Sequence, residues 1–421
     1  MYRYRFAWIV AAVVTGSMLP IAPASAGWLD YDWSHRYGLT FDNSASSQDL
    51  TQFPVLVQLN SSNFDFSQAQ SSGQDIRFTD GDGTTLLNHE IEQWDQAGQR
   101  ASVWVNVPQI DAGSAADKIY MYTANPGASG LTPAEVQQTW NSDFHMVQHL
   151  QETSGTHNDS TSNGNNGTWV APTTSGSPAT QDAVGKIAGA DRFWGYDDYG
   201  TTPPPYDDHN RVDVSSDASL HGNSSITLEA WIYREEGTSW EDHIVRTGGE
   251  WMLNFGSGTG STSVRFGRVG SGWGSPSVVW SGSGVTSEEW HYLVGVAEYD
   301  AVENETILRI YVDGVEWAST ESNPYEGMIA NELSQTIRIG ARNDLIGDSF
   351  FHGVIDEIRY SATAHSADWV YAQYLSMNGG FLTFGPMETP EPASAALLAI
   401  GAFGTLGFCR RRRRRTKPDS P

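Results

Sequence analysis

The stretch Ala101-Ser102-Val103-Trp104-Val105-Asn106-Val107 decides the fold class. Val103, Val105 and Val107 recur at every second residue and so share one face of an extended chain, the pattern of a strand with one side in a core. Working outward, similar segments stand at 37–41, 53–59, 75–79, 85–92 and 118–122, with the hairpin signal Asp80-Gly81-Asp82-Gly83 between two of them. Turn residues cluster at 125–133 and mark a boundary. Beyond it strands are expected at 146–150, 226–233, 243–247, 251–255, 263–268, 291–298, 306–312, 336–339 and 353–360, with one short helix at 363–374. Many short strands separated by Gly-rich turns imply an all-β protein built as sandwiches or jelly rolls. The body between the two ends is too long for one sandwich core and fits two domains, 27–130 and 140–385.

Both ends read as sorting signals. Residues 1–26 carry Arg3 and Arg5, an apolar stretch, and the small residues Ala24-Ser25-Ala26. That is the order of a secretory signal peptide cut before Gly27. Its apolar core is shorter than the roughly 20 residues a membrane span needs, which favours cleavage over anchoring. At the other end Pro390-Glu391-Pro392 precedes an apolar run at 393–408, then Cys409 and the block Arg410, Arg411, Arg412 to Arg415. The run is marginal for a bilayer, but flanking arginines snorkel to headgroups and stay on the cytoplasmic side. A transient inner-membrane association through this tail is expected. The three-part order at 389–415 resembles the PEP-CTERM sorting signal. The resemblance implies a Gram-negative-type envelope, processing by the membrane protease-transpeptidase exosortase, and a destination at the cell surface or in the extracellular matrix.

The chain has 24 Lys+Arg against 50 Asp+Glu, a net charge of −26. Nine of the basic residues lie in the two ends (Arg3, Arg5, the arginine block and Lys417), so the body is more acidic still. Such a surface repels nucleic acid and anionic membranes and attracts divalent cations; plain solubility explains it equally well. The single cysteine, Cys409, is in the tail. The body therefore forms no disulfide within itself and holds no thiol nucleophile or cysteine zinc site.

Two resemblances cover the body. Trp33, Arg36, Phe53-Pro54-Val55-Leu56-Val57, Asp75-Ile76-Arg77-Phe78-Thr79-Asp80, Glu90-Ile91-Glu92-Gln93-Trp94, Val103-Trp104-Val105 and Ile119-Tyr120-Met121-Tyr122 resemble a bacterial domain family of unknown function. In the second part four ordered segments resemble the laminin-G-like, concanavalin A-like jelly roll. They are His149-Leu150 with 159–167, Ile226-Thr227-Leu228-Glu229-Ala230-Trp231-Ile232, Trp290-His291-Tyr292-Leu293 with 308–314, and Phe351-His352-Gly353-Val354-Ile355-Asp356-Glu357-Ile358-Arg359-Tyr360. The segment 200–208 is an insertion relative to that family.

Three constellations offer chemistry. Asp159, Asn163 and Asn165 share a Gly-punctuated loop whose oxygens suit calcium. The jelly-roll resemblance implies that Asp356 lies near them and completes a structural Ca2+ site; an ordinary Asx-turn loop is the competing reading. For carbohydrate, aromatic faces stack on sugar rings beside polar groups. The candidates are Trp194, Tyr196, Tyr199 and Tyr206 in an acidic loop, with Trp240 and Trp273 in Gly/Ser-rich stretches. Trp231, Trp290 and Val312 sit in strand motifs and are assigned to the core. For catalysis a glycosidase needs two carboxylates at a set separation, and the E-x-D-x-E run of related hydrolases is absent. Asp356 and Glu357 are adjacent and are expected on opposite faces of their strand. His145 and His149 have helical zinc spacing but lie in a strand-like segment without H-E-x-x-H, so zinc is not expected of that pair. The expectation is an exported, non-catalytic protein that binds envelope or extracellular polysaccharide. The alternatives are a purely structural spacer and a polysaccharide hydrolase with dispersed carboxylates.

Overall fold

The computed structural model describes residues 26–172, 177–194, 210–235, 242–247, 251–256, 261–268, 278–282, 284–322, 336–342 and 350–390. Among these the protein is all-β apart from short helices, and its strands form two β-sandwiches. The first pairs a five-stranded sheet with a three-stranded one. The five run in the order Leu382–Glu388, His35–Phe41, Lys118–Thr123, Arg77–Thr79, Leu86–Leu87. The three are Leu50–Asn60, Arg100–Ile110 and His89–Asp95. Val103, Val105 and Val107 join Leu39, Phe41, Val55, Val57 and Phe78 in the core, as period two requires.

The other face of the same strand is buried too. Trp104 is wholly enclosed. Ser102 Oγ donates to Ile187 O (3.4 Å) and Asn106 Nδ2 to Gln138 O (3.3 Å). A strand that reads as half-exposed is therefore covered on both sides, because the second sandwich packs against it.

The jelly roll consists of two eight-stranded sheets. Along Ile226–Arg234 the residues Ile226, Leu228, Ala230 and Ile232 enter the core between the sheets, where they meet Leu253, Phe255, Phe266, Ile337 and Ile339. Glycine at 295 has a packing reason: a Cβ there would stand 2.1 Å from the Phe266 ring. The alternate residues Trp231 and Tyr292 face outward and belong to the first sandwich's core cluster. The helix Ala367–Asn378, capped by Ser366, fills the seam. Trp369 packs edge-on to Phe53 (centroids 5.5 Å), Tyr374 stacks on Trp231 (6.0 Å), and Ser376 Oγ accepts from Leu56 N (2.9 Å).

After this helix the chain returns to the first sandwich. Leu382–Glu388 pairs antiparallel with His35–Phe41, from Phe41 opposite Leu382 to Arg36 opposite Glu388. The strand straddles the expected domain end at 385. Its last residue accepts a hydrogen bond from Arg36 Nε (2.7 Å), whose guanidinium lies over the Tyr120 and Trp28 rings (4.1 and 4.6 Å).

Deleting residues 382–388 removes one ladder from the first sandwich and the partner of Arg36. Each lost hydrogen bond costs about 1 kcal/mol, so urea unfolding is expected to show a stability loss of about 3–5 kcal/mol. A second prediction concerns pH. His89 is buried beside Phe78 (ring centroids 5.2 Å). Burial, reinforced by Arg77, pushes its pKa down to about 4. The unfolded chain takes up a proton near pH 6.5, so between pH 6.5 and 4 it binds more protons than the fold. Stability from this group is complete above pH 6.5 and falls by on the order of 3 kcal/mol as pH drops to 4. His89→Phe should remove that component from the measured stability–pH curve.

Candidate functional site

Of the six aromatic candidates Trp194 lies within the described residues, and Tyr196, Tyr199, Tyr206, Trp240 and Trp273 lie outside them. Trp194 directly follows the strand Gly189–Phe193 at one rim of the jelly roll. Cross-strand register places Arg192, Val354, Tyr233 and Trp290 in one row on the outer face, since Arg192 and Tyr233 both oppose Val354 and Tyr233 opposes Trp290. Just beyond this row the Trp194 ring packs on His352 (4.2 Å). Glu235 accepts from Arg192 and stands 3.5 Å from His352 Nε2. Tyr233 donates to Glu288 Oε2 (3.1 Å) and its ring lies 5.8 Å from Trp290. These rim side chains, except exposed Glu288 and buried Val354, are half-buried. The result is an accessible surface of aromatic faces beside paired charges. Trp231 and Val312 are buried as expected, whereas Trp290 is partly exposed. Arg192, Tyr233 with Glu235, and His352 escaped the sequence reading because they come from three separate strands or strand ends far apart in the chain.

The loop with Asp159, Asn163 and Asn165 is held by its own hydrogen bonds. Asp159 Oδ1 accepts from Val147 N (2.9 Å) and Thr161 N (3.0 Å), and Oδ2 from Thr161 Oγ1 and Asn165 N (both 2.8 Å). Asn163 Nδ2 donates to Phe144 O and Asn165 Nδ2 to His145 O. Asp356 shares no partner with Asp159: its Oδ2 accepts from Lys186 N (2.7 Å) and Ile187 N (3.0 Å).

The strand Gly353–Ser361 carries a bulge. Glu229 pairs with Arg359 and Trp231 with Asp356, so Glu357 and Ile358 together oppose Ala230. Glu357 takes φ +57°, a left-handed conformation that costs a non-glycine residue about 1–2 kcal/mol. This corrects the expectation that Asp356 and Glu357 point to opposite faces. Ile355 and Ile358, three apart, both enter the jelly-roll core. Asp356, Glu357 and Arg359 gather on the outer face, in the seam. A second register shift falls between Ile91 and Gln93, at Glu92 on the facing strand.

The two bulges meet around His149. Its Nδ1 lies 2.6 Å from Glu357 Oε1 and 3.7 Å from Glu92 Oε2, and its Nε2 lies 3.5 Å from Glu90 Oε2. Trp104 Nε1 donates to Glu92 Oε2 (2.8 Å), Trp140 Nε1 to Glu90 Oε2 (2.6 Å), and Arg359 Nη2 to Glu357 Oε2 (2.5 Å). Arg359 also lies over the Trp104 ring (4.3 Å). Burial, then the charge of Glu357, pushes Glu92 up to about 8. Asp356 is raised for the same two reasons. Burial works against a charged His149, but Glu357, Glu92 and Glu90 overcome it and hold the imidazole well above its usual value. Burial likewise opposes ionisation of Glu357, yet His149 and Arg359 keep its carboxyl below the usual range. Among the described residues Glu92, His149 and Glu357 form the group whose donor atoms are close enough to share a metal ion.

Family models match three segments of the chain. Residues 207–371 match the concanavalin A-like lectin/glucanases superfamily, residues 72–172 a domain of unknown function (DUF2341), and residues 388–414 the PEP-CTERM protein-sorting motif. The last motif is that of an exported protein sorted through exosortase. The match at 72–172 runs past the first sandwich and takes in both Glu92 and His149. No curated protein matches the chain. Among solved structures, domain 4 of AbnA, an extracellular GH43 arabinanase from Geobacillus stearothermophilus in complex with arabinotriose, is 16% identical (TM-score 0.39), with 55% of this chain and 98% of that one covered. The binding domain of Paraclostridial Mosquitocidal Protein 1 is 12% identical (TM-score 0.38), with 56% and 53% covered. The binding domain of botulinum neurotoxin DC in complex with rat synaptotagmin II is 10% identical (TM-score 0.38), with 56% and 52% covered. The chain spans about half the length of these last two chains. No helix among the described residues is long and apolar enough to cross a membrane, and the apolar run at 393–408 lies outside them.

Asp159→Ala strands four donors that the carboxylate now accepts. A loss of about 2–4 kcal/mol is expected, and thermal melting should show the same loss with calcium and with chelator. A loss seen only when calcium is present would instead make Asp159 a ligand.

Proposed function

We propose that this is an exported, non-catalytic surface or matrix protein whose jelly roll binds extracellular polysaccharide at the Trp194 rim. One observation carries the reading. A half-buried tryptophan lies against His352, beside the Arg192–Glu235 pair and the Tyr233–Trp290 pair, on the part of the sheet that the first sandwich leaves uncovered. Aromatic faces with a few fixed polar groups are the usual means of holding sugar rings. The lectin/glucanase match at 207–371, which includes Tyr233, Glu235, Trp290 and His352, supports the same reading. So does the sorting motif, which takes the protein to where such polymers are. The first sandwich would then be a rigid mount carrying the sorting tail.

The test is a panel of soluble polysaccharides assayed by affinity electrophoresis with the full chain. At least one polymer should retard the wild type. Trp194→Ala should weaken that retardation about tenfold, equivalent to about 1.4 kcal/mol, with an unchanged melting temperature. No retardation by any polymer would leave the spacer role. New reducing ends on the bound polymer would overturn the non-catalytic assignment.

A further inference from the structure

We propose that Glu92, His149 and Glu357 form a binding site for one divalent transition-metal ion of the zinc class, which staples the two sandwiches together. One donor atom from each of the three lies within 4.8 Å of the others, so small side-chain adjustments reach the roughly 2.0–2.2 Å bonds of zinc to imidazole and carboxylate. One imidazole with two carboxylates suits zinc and neighbouring first-row ions. Calcium and magnesium prefer oxygen alone.

Two observations distinguish this group from an ordinary acidic cluster. The first is an unmet bonding capacity. The Glu92 side chain is 0% exposed, yet its Oε1 has no hydrogen-bond partner. Stranded polar atoms in a sealed space are costly unless something else satisfies them. The second is that each ligand already has the outer partner a metal site needs. Trp104 Nε1 orients Glu92 and Arg359 orients Glu357. With the ion on His149 Nδ1, the Nε2–H points toward Glu90 Oε2, which Trp140 and Ser160 hold in place. This is the carboxylate–histidine–metal arrangement. Both carboxylates also stand at strand irregularities, and a bulge re-aims a side chain.

The His145/His149 spacing has no part in this site, because His145 contacts the Ser219 carbonyl. Glu92 comes from the first sandwich, whereas His149, which follows the strand Phe144–Gln148, and Glu357, on the closing strand paired with it, come from the jelly roll. The only cysteine lies in the tail, so an ion would supply the cross-link that no disulfide makes. The inference stands independently of the polysaccharide reading.

The experiment refolds the full chain from denaturant with excess Zn2+, since the enclosed site exchanges slowly in the folded state. Desalting is followed by metal analysis, with near-ultraviolet circular dichroism to confirm packing. Wild type is expected to retain about one zinc per chain. E92Q preserves the shape of the side chain and should fold, yet hold less than about a tenth as much; H149Q should do the same. E90Q keeps all three ligands and should bind zinc about ten- to a hundredfold more weakly. Refolding with Co2+ should give visible absorption bands in wild type that H149Q lacks. Folded wild type without zinc would overturn the proposal. Equal zinc in wild type and E92Q would overturn it too, by placing the ion elsewhere.

Discussion

A fully buried guanidinium holds the architecture together. Arg359 leaves the closing strand of the jelly roll and lies over the Trp104 and Trp140 rings, donates to Glu357, and stands 3.8 Å from Glu229. A charge so far from water is tolerated only when its partners surround it, and removing one of them is strongly destabilising. The partners of Arg359 come from both sandwiches. Neither face can be uncovered without exposing or stranding a charge, so the seam behaves as one interior.

Chain connectivity reinforces that bond. The polypeptide builds most of the first sandwich, crosses to the jelly roll, passes down the seam helix and returns as the edge strand Leu382–Glu388. The PEP-CTERM match begins at residue 388, the last residue of that strand. The sorting tail therefore emerges from the first sandwich. The outer face of the jelly-roll sheet is divided along its length: Trp231 and Asp356 are sealed in the seam, whereas Tyr233 and Glu235, further along the same strand direction, reach solvent. One sheet thus provides both the mount and the free rim.

Much of the fold was legible beforehand. The expectation at 243–247 coincides with His243–Thr247 and that at 251–255 with Trp251–Phe255, and the helix expected at 363–374 lies at Ala367–Asn378. Such readings succeed because period-two alternation and turn chemistry are local properties of a few consecutive side chains. The candidate site was less legible. Trp194 stood out as an aromatic in a polar loop, but Arg192, Tyr233 with Glu235, and His352 lie on or at the ends of three strands that only the sheet register sets side by side. His149 was read through its spacing to His145, while its partners lie 57 and 59 residues before it and 208 residues after it.

The sequence by itself determined that the chain is all-β, that its strands make two sandwiches, and that it carries a sorting motif at 388–414. Alternation, turns and tripartite end patterns are written in neighbouring residues and need no partner to be read. Only the tertiary structure decided that the Trp104 face is interior, that the last strand belongs to the first sandwich, and that Asp356 and Glu357 share a face. Each of these depends on which strand lies alongside. A bulge is a mismatch between two strands, and one strand alone holds no record of it.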